Sequence, residues 1–313
     1  MGSEDDQILL VANTASNSLT YIDINNNYSS TEIKYEDMLS SYVKNKINEK
    51  TLNIGTHQIF KSLSSNSIYT VNSYGNNIFK INIAKKEIED IVYVGSYPSH
   101  IDIYNGNIYV TNSDSNSISI IDEKNFTLTK NIPVGEKPHD IKVDKLRNKI
   151  YIANSNGYSV TIIDVLNNED ERVLIDIHPL HFYILDENMF ILACQSNGME
   201  KSSISLFNLD KKRVFRKIYI DDSILDMSVL LSRNIIFTTN AGDGYLYKID
   251  FERKEILDKI FIGGMPNNIL WDKKNKLYIS NTLKNIVSVF DINKNKIIKD
   301  IPVGNEPNGL ILV

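Results

Sequence analysis

A unit of about 40 residues recurs along this chain, and the repeat restricts the fold more than any other sequence feature. The clearest copy has two β-rich runs, 107–112 and 117–122, and then passes through Val134-Gly135 to Pro138. An Asn closes the first run of most copies, and from the second copy onward its spacings are 40, 42, 40, 46 and 41 residues. The aligned positions are Asn13, Asn72, Asn112, Asn154, Cys194, Asn240 and Asn281. A period near 40 with four short strands per unit is typical of a β-propeller, not of a helical solenoid.

The two ends of the sequence supply complementary parts of one repeat. The chain enters at the second strand of the unit, Ile8 to Asn13, and ends with a lone first strand, Gly309 to Val313. Counting each strand type then gives seven complete blades. We predict an all-β, seven-bladed propeller, one domain over residues 1–313, with four antiparallel strands per blade. The C-terminal strand is expected to pair with the first blade, formed by residues 8–54, because this removes an open sheet edge.

The run Tyr109-Val110-Thr111-Asn112 and the Val-Gly pairs at 94–95, 134–135 and 303–304, each followed by Pro, carry a family resemblance. The chain resembles the YVTN family of β-propeller repeats, a WD40-like repeat class, along nearly its whole length. The resemblance implies the fold. It implies function poorly, since such propellers serve as binding platforms, exported repeat proteins and relatives of several enzyme classes.

Composition excludes several classes of function. The net charge is −5 and basic residues form no stripe, so we expect no nucleic-acid partner. A single cysteine, Cys194, excludes an intramolecular disulfide and a multi-cysteine metal site. No apolar run is long enough to span a bilayer. We expect a monomer without a membrane span.

The amino end does not resemble a signal peptide. Glu4, Asp5 and Asp6 stand where a signal peptide has a basic region, which favours a cytoplasmic location. If Met1-Gly2-Ser3 replaces a removed export signal, the alternative is an exported protein.

Residues 25–50 interrupt the first repeat between its third and fourth predicted strands. Met38, Leu39, Tyr42, Val43 and Ile47 recur there with helical spacing. We predict a short amphipathic helix on the lower face of the ring, either packed against it or used to bind a partner.

Histidines concentrate in one part of the repeat. The loop from the fourth strand of one blade to the first strand of the next lies on what we call the upper face, and all five histidines fall in these loops or just after them. Two residues past the Pro, consecutive blades carry His100, Asp140, His181, Asp226, Asn268 and Gly309, with Asp226 aligned by the apolar residue that follows it. Mouths of closed β architectures are common ligand sites. We predict a ligand site there, formed by His100, Asp140, His181, Asp226, Asn268, His57, His139 and His178.

The chemistry of this set has four interpretations. His100, His181, Asp140 and Asp226 suit a divalent metal ion such as zinc, iron or manganese, the only cofactor that the sequence suggests. A His beside a carboxylate also forms a proton-transfer pair. The residues can instead hydrogen-bond a ligand, or they are solvated residues that cap backbone groups at strand starts. No catalytic sequence motif is present, so no catalytic residue is assigned.

Three classes of function follow. The leading hypothesis is a binding module that presents a polar upper-face pocket to a small molecule, peptide or protein. The alternative is a metal-assisted lyase or hydrolase acting in the same pocket. The third is a purely structural repeat protein.

Overall fold

The fold is a closed ring of seven four-stranded sheets. The computed structural model describes residues 7–47, 54–62, 64–194 and 201–313. Within these ranges every sheet is antiparallel, and six of the seven blades are formed by four consecutive strands. Each strand is a short run rich in Ile, Val, Tyr and Thr between turn residues, as the β-propensity of these residues favours.

The strands follow one another around the ring. Blade 1 takes three of its strands from β1 (Ile8–Asn13), β2 (Ser18–Asp23) and β3 (Ser29–Lys34). Blades 2 to 4 comprise β4 (Thr56–Lys61), β5 (Ser67–Asn72), β6 (Asn77–Asn82), β7 (Glu87–Tyr93), β8 (Pro98–Tyr104), β9 (Asn107–Asn112), β10 (Ser117–Asp122), β11 (Thr127–Pro133), β12 (Pro138–Asp144), β13 (Lys149–Asn154), β14 (Ser159–Asp164) and β15 (Glu169–Leu174). Blades 5 to 7 comprise β16 (Pro179–Ile184), β17 (Asn188–Ala193), β18 (Ser202–Asn208), β19 (Arg213–Ile220), β20 (Ile224–Leu230), β21 (Ile235–Asn240), β22 (Tyr245–Asp250), β23 (Glu255–Phe261), β24 (Pro266–Trp271), β25 (Lys276–Asn281), β26 (Ile286–Asp291) and β27 (Lys296–Pro302).

The last strand, β28 (Pro307–Leu312), closes the ring as the innermost strand of blade 1. It pairs antiparallel with β1, with Leu9 opposite Leu312 and Val11 opposite Leu310. The predicted seven blades and the predicted closure are both confirmed.

The hydrophobic core lies between the blades. Seven apolar clusters occur in the described part of the chain, one in each interface between neighbouring blades. In the closing interface, Tyr278 and Val289 of blade 7 pack with Leu9, Val11 and Leu310 of blade 1. Both faces of each sheet are covered by the neighbouring blades, and the second strand of each blade is buried over nearly its whole length.

The recurrent Asn fastens the upper ends of blades 1, 3 and 4 in the same way. The amide of Asn154 donates to the hydroxyls of Ser159 and Thr161 at 3.0 and 2.9 Å, and Asn13 and Asn112 make equivalent pairs of bonds. A Cβ atom on Gly135 would lie 2.5 Å from Cγ of Asn154. Gly is therefore needed at positions 95, 135 and 304, because the side chain of the recurrent Asn occupies the space that a Cβ atom would take.

The extra segment of blade 1 differs from its predicted place. Residues 29–34 form the fourth strand of the blade, so the insertion follows that strand and does not precede it. A 3-10 turn (Tyr35–Met38) leads to helix α1 (Ser41–Lys46), and residues 48–50 of the predicted insertion lie outside the described ranges.

Helix α1 packs against the outer edge of blade 2. Leu39 pairs in parallel with Ile88 on β7, the outermost strand of blade 2, and Lys46 forms an ion pair with Asp90 at 2.7 Å. The buried side chains Met38 and Val43 join the cluster between blades 1 and 2. The segment covers an exposed strand edge, which a repeat of minimal length leaves open.

Two further expectations concern the chain as a whole. Within the described residues, no helix is both long enough and apolar enough to cross a membrane. The question of whether Met1-Gly2-Ser3 replaces another leader falls on residues outside the described ranges.

Leu310→Ala tests the closing interface. Leu310 is only 7% exposed between blades 7 and 1, so we expect its truncation to lower the free energy of unfolding by about 2–5 kcal/mol. Equilibrium denaturant unfolding measures the loss. Leu283→Ala, at a position that is 72% exposed, is the matched control and should cost about 0.5 kcal/mol or less. Equal losses in the two variants would contradict the closure.

Candidate functional site

Every innermost strand carries a β-bulge directly after its Pro position. In blade 3, Pro98 pairs with Asn112 and Ile101 with Val110, so that Ser99 and His100 together oppose Thr111. The same register shift occurs in the other six blades. A bulge sets two consecutive residues against one and re-aims their side chains. Residues one and two past the Pro can therefore both reach the mouth of the channel.

A hydroxyl on the second strand holds the bulge. Oγ1 of Thr111 accepts the N–H of His100 at 3.0 Å and donates to the carbonyl of His139 at 2.7 Å. Thr239 and Ser280 accept the corresponding N–H groups of Asp226 and Asn268. Thr111, the Thr of the Tyr-Val-Thr-Asn run, thus positions the bulge of its own blade and contacts the bulge of the next.

Four imidazoles converge at the mouth, from blades 2 to 5. The ring centroids of His100 and His139 are 4.5 Å apart, and each lies 5.0 Å from that of His181. His57 lies 5.0 Å from His100 and 5.5 Å from His139. His57 and His139 stand one residue past the Pro position, whereas His100 and His181 stand two past it.

Three of these histidines offer a metal-ligand geometry. One ring nitrogen each from His100, His139 and His181 lies within 4.8 Å of the others. Ligand nitrogens around a tetrahedral zinc ion are about 3.3 Å apart, given bonds of about 2.0–2.1 Å, so a closing movement on the order of 1 Å completes the set. The predicted metal set of His100, His181, Asp140 and Asp226 overlaps this group in two residues.

An oxygen atom lies beside Nδ1 in two of these rings, which leaves Nε2 available to a ligand. Nδ1 of His139 lies 3.3 Å from the carbonyl of Leu180, and Nδ1 of His181 lies 3.6 Å from Oδ2 of Asp140. An Nδ1–H directed at an oxygen leaves Nε2 as the lone pair, the usual arrangement behind a metal-bound imidazole. Nδ1 of His100 is buried and has no hydrogen-bond partner.

Burial keeps the imidazoles of His57, His100 and His139 neutral. Burial lowers the pKa of His57 to about 4, and the neighbouring His181 adds to the shift. Burial, followed by repulsion from a neighbouring imidazole, holds the pKa values of His100 and His139 well below 6.5. Neutral imidazoles keep the lone pairs that a metal ion requires.

Asp140 connects two blades beneath the histidines. Its Oδ2 accepts the N–H of Phe182 in the next blade at 2.8 Å, and its Oδ1 accepts Nζ of Lys142 at 2.9 Å. Burial opposes ionisation, but Lys142 and His181 outweigh it and hold the pKa of Asp140 well below its usual range. Asp140 therefore supplies a fixed negative charge behind His181.

Asp226 makes the same kind of connection between blades 6 and 7. Its Oδ2 accepts the N–H of Ile269 at 3.0 Å and the amide of Asn268 at 2.9 Å, and burial raises its pKa. The lone pairs of both carboxylates face protein donors. The structure thus places Asp140, Asp226 and Asn268 in a supporting layer, where Asp226 and Asn268 contact each other.

His178 lies apart from the other four histidines. Its ring centroid is 3.8 Å from that of Tyr158, and its Nδ1 is 2.7 Å from the carbonyl of Ser155. Of the remaining aligned positions, Gly309 has no side chain because a Cβ there would lie 2.9 Å from the backbone of blade 2, at His57 and Gln58.

Sequence reasoning missed two charged residues of this layer. Asp102 accepts the N–H of Val143 at 2.8 Å through Oδ2, and Lys142 interacts with Asp102, Asp140 and Asp226. Asp102 and Lys142 each lie four residues past the Pro that begins their strand. They are therefore on the same side of the strand as the residue two past that Pro. The two-residue period of a strand was the signal that could have identified them.

A cavity of about 180 Å³ opens beside the histidines on the upper face. Its lining includes His57, Tyr74, Tyr97, Met265, Glu306 and Asn308. A larger depression of about 740 Å³ on the opposite face is lined by Leu146, Leu185 and Leu231 with acidic neighbours, and contains no histidine. The polar convergence lies at the upper mouth.

Comparison with known proteins supports the fold. No protein-family model and no curated protein matches this chain. Among solved structures, a functionally unknown protein from Desulfotomaculum acetoxidans has a TM-score of 0.76 at 10% identity, covering 97% of this chain and 98% of its own. Hydrazine synthase from Kuenenia stuttgartiensis has a TM-score of 0.75 at 17% identity, covering 84% and 91%. A putative 6-phosphogluconolactonase from Bacteroides fragilis has a TM-score of 0.72 at 13% identity, covering 100% and 99%. At these identities the similarity shows the propeller fold alone.

The histidine cluster makes stability depend on pH. An unfolded histidine titrates near 6.5 and His57 near 4, so unfolding takes up protons between these values. The contribution of His57 to the free energy of unfolding is therefore fully present above pH 6.5 and is lost as the pH falls toward 4. We expect His57 alone to account for a loss on the order of 3 kcal/mol, measured by denaturant unfolding of metal-free protein. His57→Gln should flatten the profile in this window. An unchanged slope would contradict the lowered pKa.

Proposed function

We propose that this protein is a metal-binding β-propeller, in which His100, His139 and His181 hold a divalent transition-metal ion at the upper mouth of the channel. The convergence of three ring nitrogens within 4.8 Å is the observation that carries the proposal. Imidazole ligands suit zinc, copper, iron and nickel, and a three-histidine set suits zinc well.

The charges around the cluster favour a cation. Asp102, Asp140 and Asp226 stand against one lysine, Lys142, in the layer that supports the histidines. The neutral imidazoles of His57, His100 and His139 add no opposing charge. A divalent ion therefore enters a region of negative potential, and Asp140 orients His181 as a supporting residue behind a metal ligand.

The proposal retains the binding role inferred from the sequence and makes it more specific. With three protein ligands, the ion keeps a coordination position for a small molecule or for a side chain of a partner. The Tyr-Val-Thr-Asn motif and the Gly-x-x-Pro loops support membership of the YVTN repeat family. A monomer in the cytoplasm, with export as the alternative, remains our proposal for its state.

A second function, metal-assisted hydrolysis or elimination, is favoured by one observation. Three histidines with a carboxylate behind one of them form the ligand pattern of catalytic metal sites, which leave a position for water or substrate. The ion would supply Lewis acidity, while His57 is a neutral imidazole able to accept a proton. Hydrolysis of 4-nitrophenyl acetate by zinc-loaded and metal-free protein tests this function. Equal rates that are unaffected by His139→Ala would remove it.

Zinc titration of the double variant His100→Ala/His181→Ala tests the metal site. We expect the untagged, chelator-stripped protein to bind one Zn²⁺ per chain, and the double variant to bind at least about 100-fold more weakly, because two of three ligands are lost. Isothermal titration calorimetry gives stoichiometry and affinity. Co²⁺ absorption reports the ligand geometry.

His178→Ala is the matched control. It removes an upper-face histidine whose ring contacts Tyr158, outside the cluster, and should leave zinc affinity unchanged. No stoichiometric binding by the unmodified chain, or an equal loss in the His178 variant, would overturn the proposal and leave a purely structural role.

A further inference from the structure

The cavity beside the histidines has a wall of exposed aromatic rings. Tyr74 and Tyr97 are 48% and 39% exposed, and their ring centroids lie 6.2 Å apart at an angle of 52°. The two rings line the cavity together with Met265, which adds a polarisable thioether. Exposed tyrosine rings offer a large, rigid contact surface to a ligand.

Local features position the Tyr74 ring and the backbone of Tyr97. Tyr74 packs directly over Gly55, where a Cβ would lie 2.1 Å from the ring. Tyr97 has a left-handed backbone with φ of 53°, a conformation that non-glycine residues rarely adopt, and its N–H donates to Oδ1 of Asn76 at 2.8 Å. The Tyr74 ring and the backbone that carries Tyr97 are therefore in place before a ligand binds, which reduces the conformational entropy lost on binding.

The charge of the cavity is negative. Its lining contains no lysine or arginine and one carboxylate, that of Glu306, which forms no ion pair with any described residue. Lys137, near Tyr97, is paired with Asp114 at 2.9 Å. Aromatic faces with one unpaired carboxylate are the chemistry that attracts an alkylammonium group, through cation–π and Coulomb attraction.

We propose that this cavity binds a small organic cation of the alkylammonium class, held against Tyr74 and Tyr97 and opposite Glu306. A volume of about 180 Å³ equals that of about six water molecules and accommodates a quaternary ammonium compound of about seven non-hydrogen atoms. The inference goes beyond the metal proposal, since none of these three residues belongs to the histidine cluster.

The probe is choline, compared with 3,3-dimethyl-1-butanol, its uncharged carbon analogue of nearly the same shape. Titration calorimetry on the full metal-free chain should show choline binding and at least fivefold weaker binding of the alcohol. Tyr97→Leu should raise the Kd for choline about two- to fivefold, whereas Tyr97→Phe, which keeps an aromatic face, should leave it nearly unchanged. Glu306→Gln should weaken choline binding and reduce its dependence on salt.

Several results would overturn the proposal: no choline binding by the unmodified chain, equal affinity for choline and the alcohol, or equal effects of Leu and Phe at position 97. Circular dichroism confirms that each variant is folded, and Tyr74→Leu with Tyr74→Phe provides a second pair. Zinc titration of Tyr97→Leu separates the two proposals, because that variant keeps all three metal-binding histidines.

Discussion

Apolar contact between neighbouring blades is the interaction on which this structure depends. A four-stranded sheet with two apolar faces cannot persist alone in water, and each blade here buries both faces against its neighbours. The buried apolar surface is divided among seven clusters, one in each interface between neighbouring blades. The cluster between blades 7 and 1 is completed only when β28 lies beside β1. The strength of the ring also holds the polar groups of the channel in place, since these come from innermost strands of different blades.

The β-bulge after the Pro position of each innermost strand brings side chains of the repeated blades together into one site. Without it, strand alternation would direct His100 and its predecessor to opposite sides of the sheet. With it, the residues one and two past the Pro share the mouth, and four imidazoles from blades 2 to 5 come within contact distance of one another. Thr111 ties this local irregularity to the next blade. A structural motif of the repeat therefore sets the geometry of the candidate metal ligands.

The fold could be predicted from the sequence because the repeat is periodic and its two ends are complementary. The sequence also predicted where the candidate site lies, but not which of its residues come together as metal ligands. Alignment of the residue two past the Pro suggested Asp140 and Asp226 as partners of His100 and His181 in a metal set. The bulge brings His139 into that set instead, and a one-residue bulge leaves no periodic signal. The carboxylates also accept backbone N–H bonds across blade boundaries, an arrangement that depends on tertiary structure. The extra segment of blade 1 was misplaced because Ser29–Lys34 is polar and exposed, like a loop.

The pairing of β28 with β1 also affects the rate of folding. The two strands that complete blade 1 are separated by nearly the whole chain, so their pairing has the highest loop-closure entropy of any in the molecule. Contacts of such long range form late and slowly, and until they form, the inner edge of β1 exposes its backbone hydrogen-bonding groups. A nascent chain thus presents an unsatisfied strand near its amino end throughout assembly, where chaperones or a second copy of the terminal strand can compete for it.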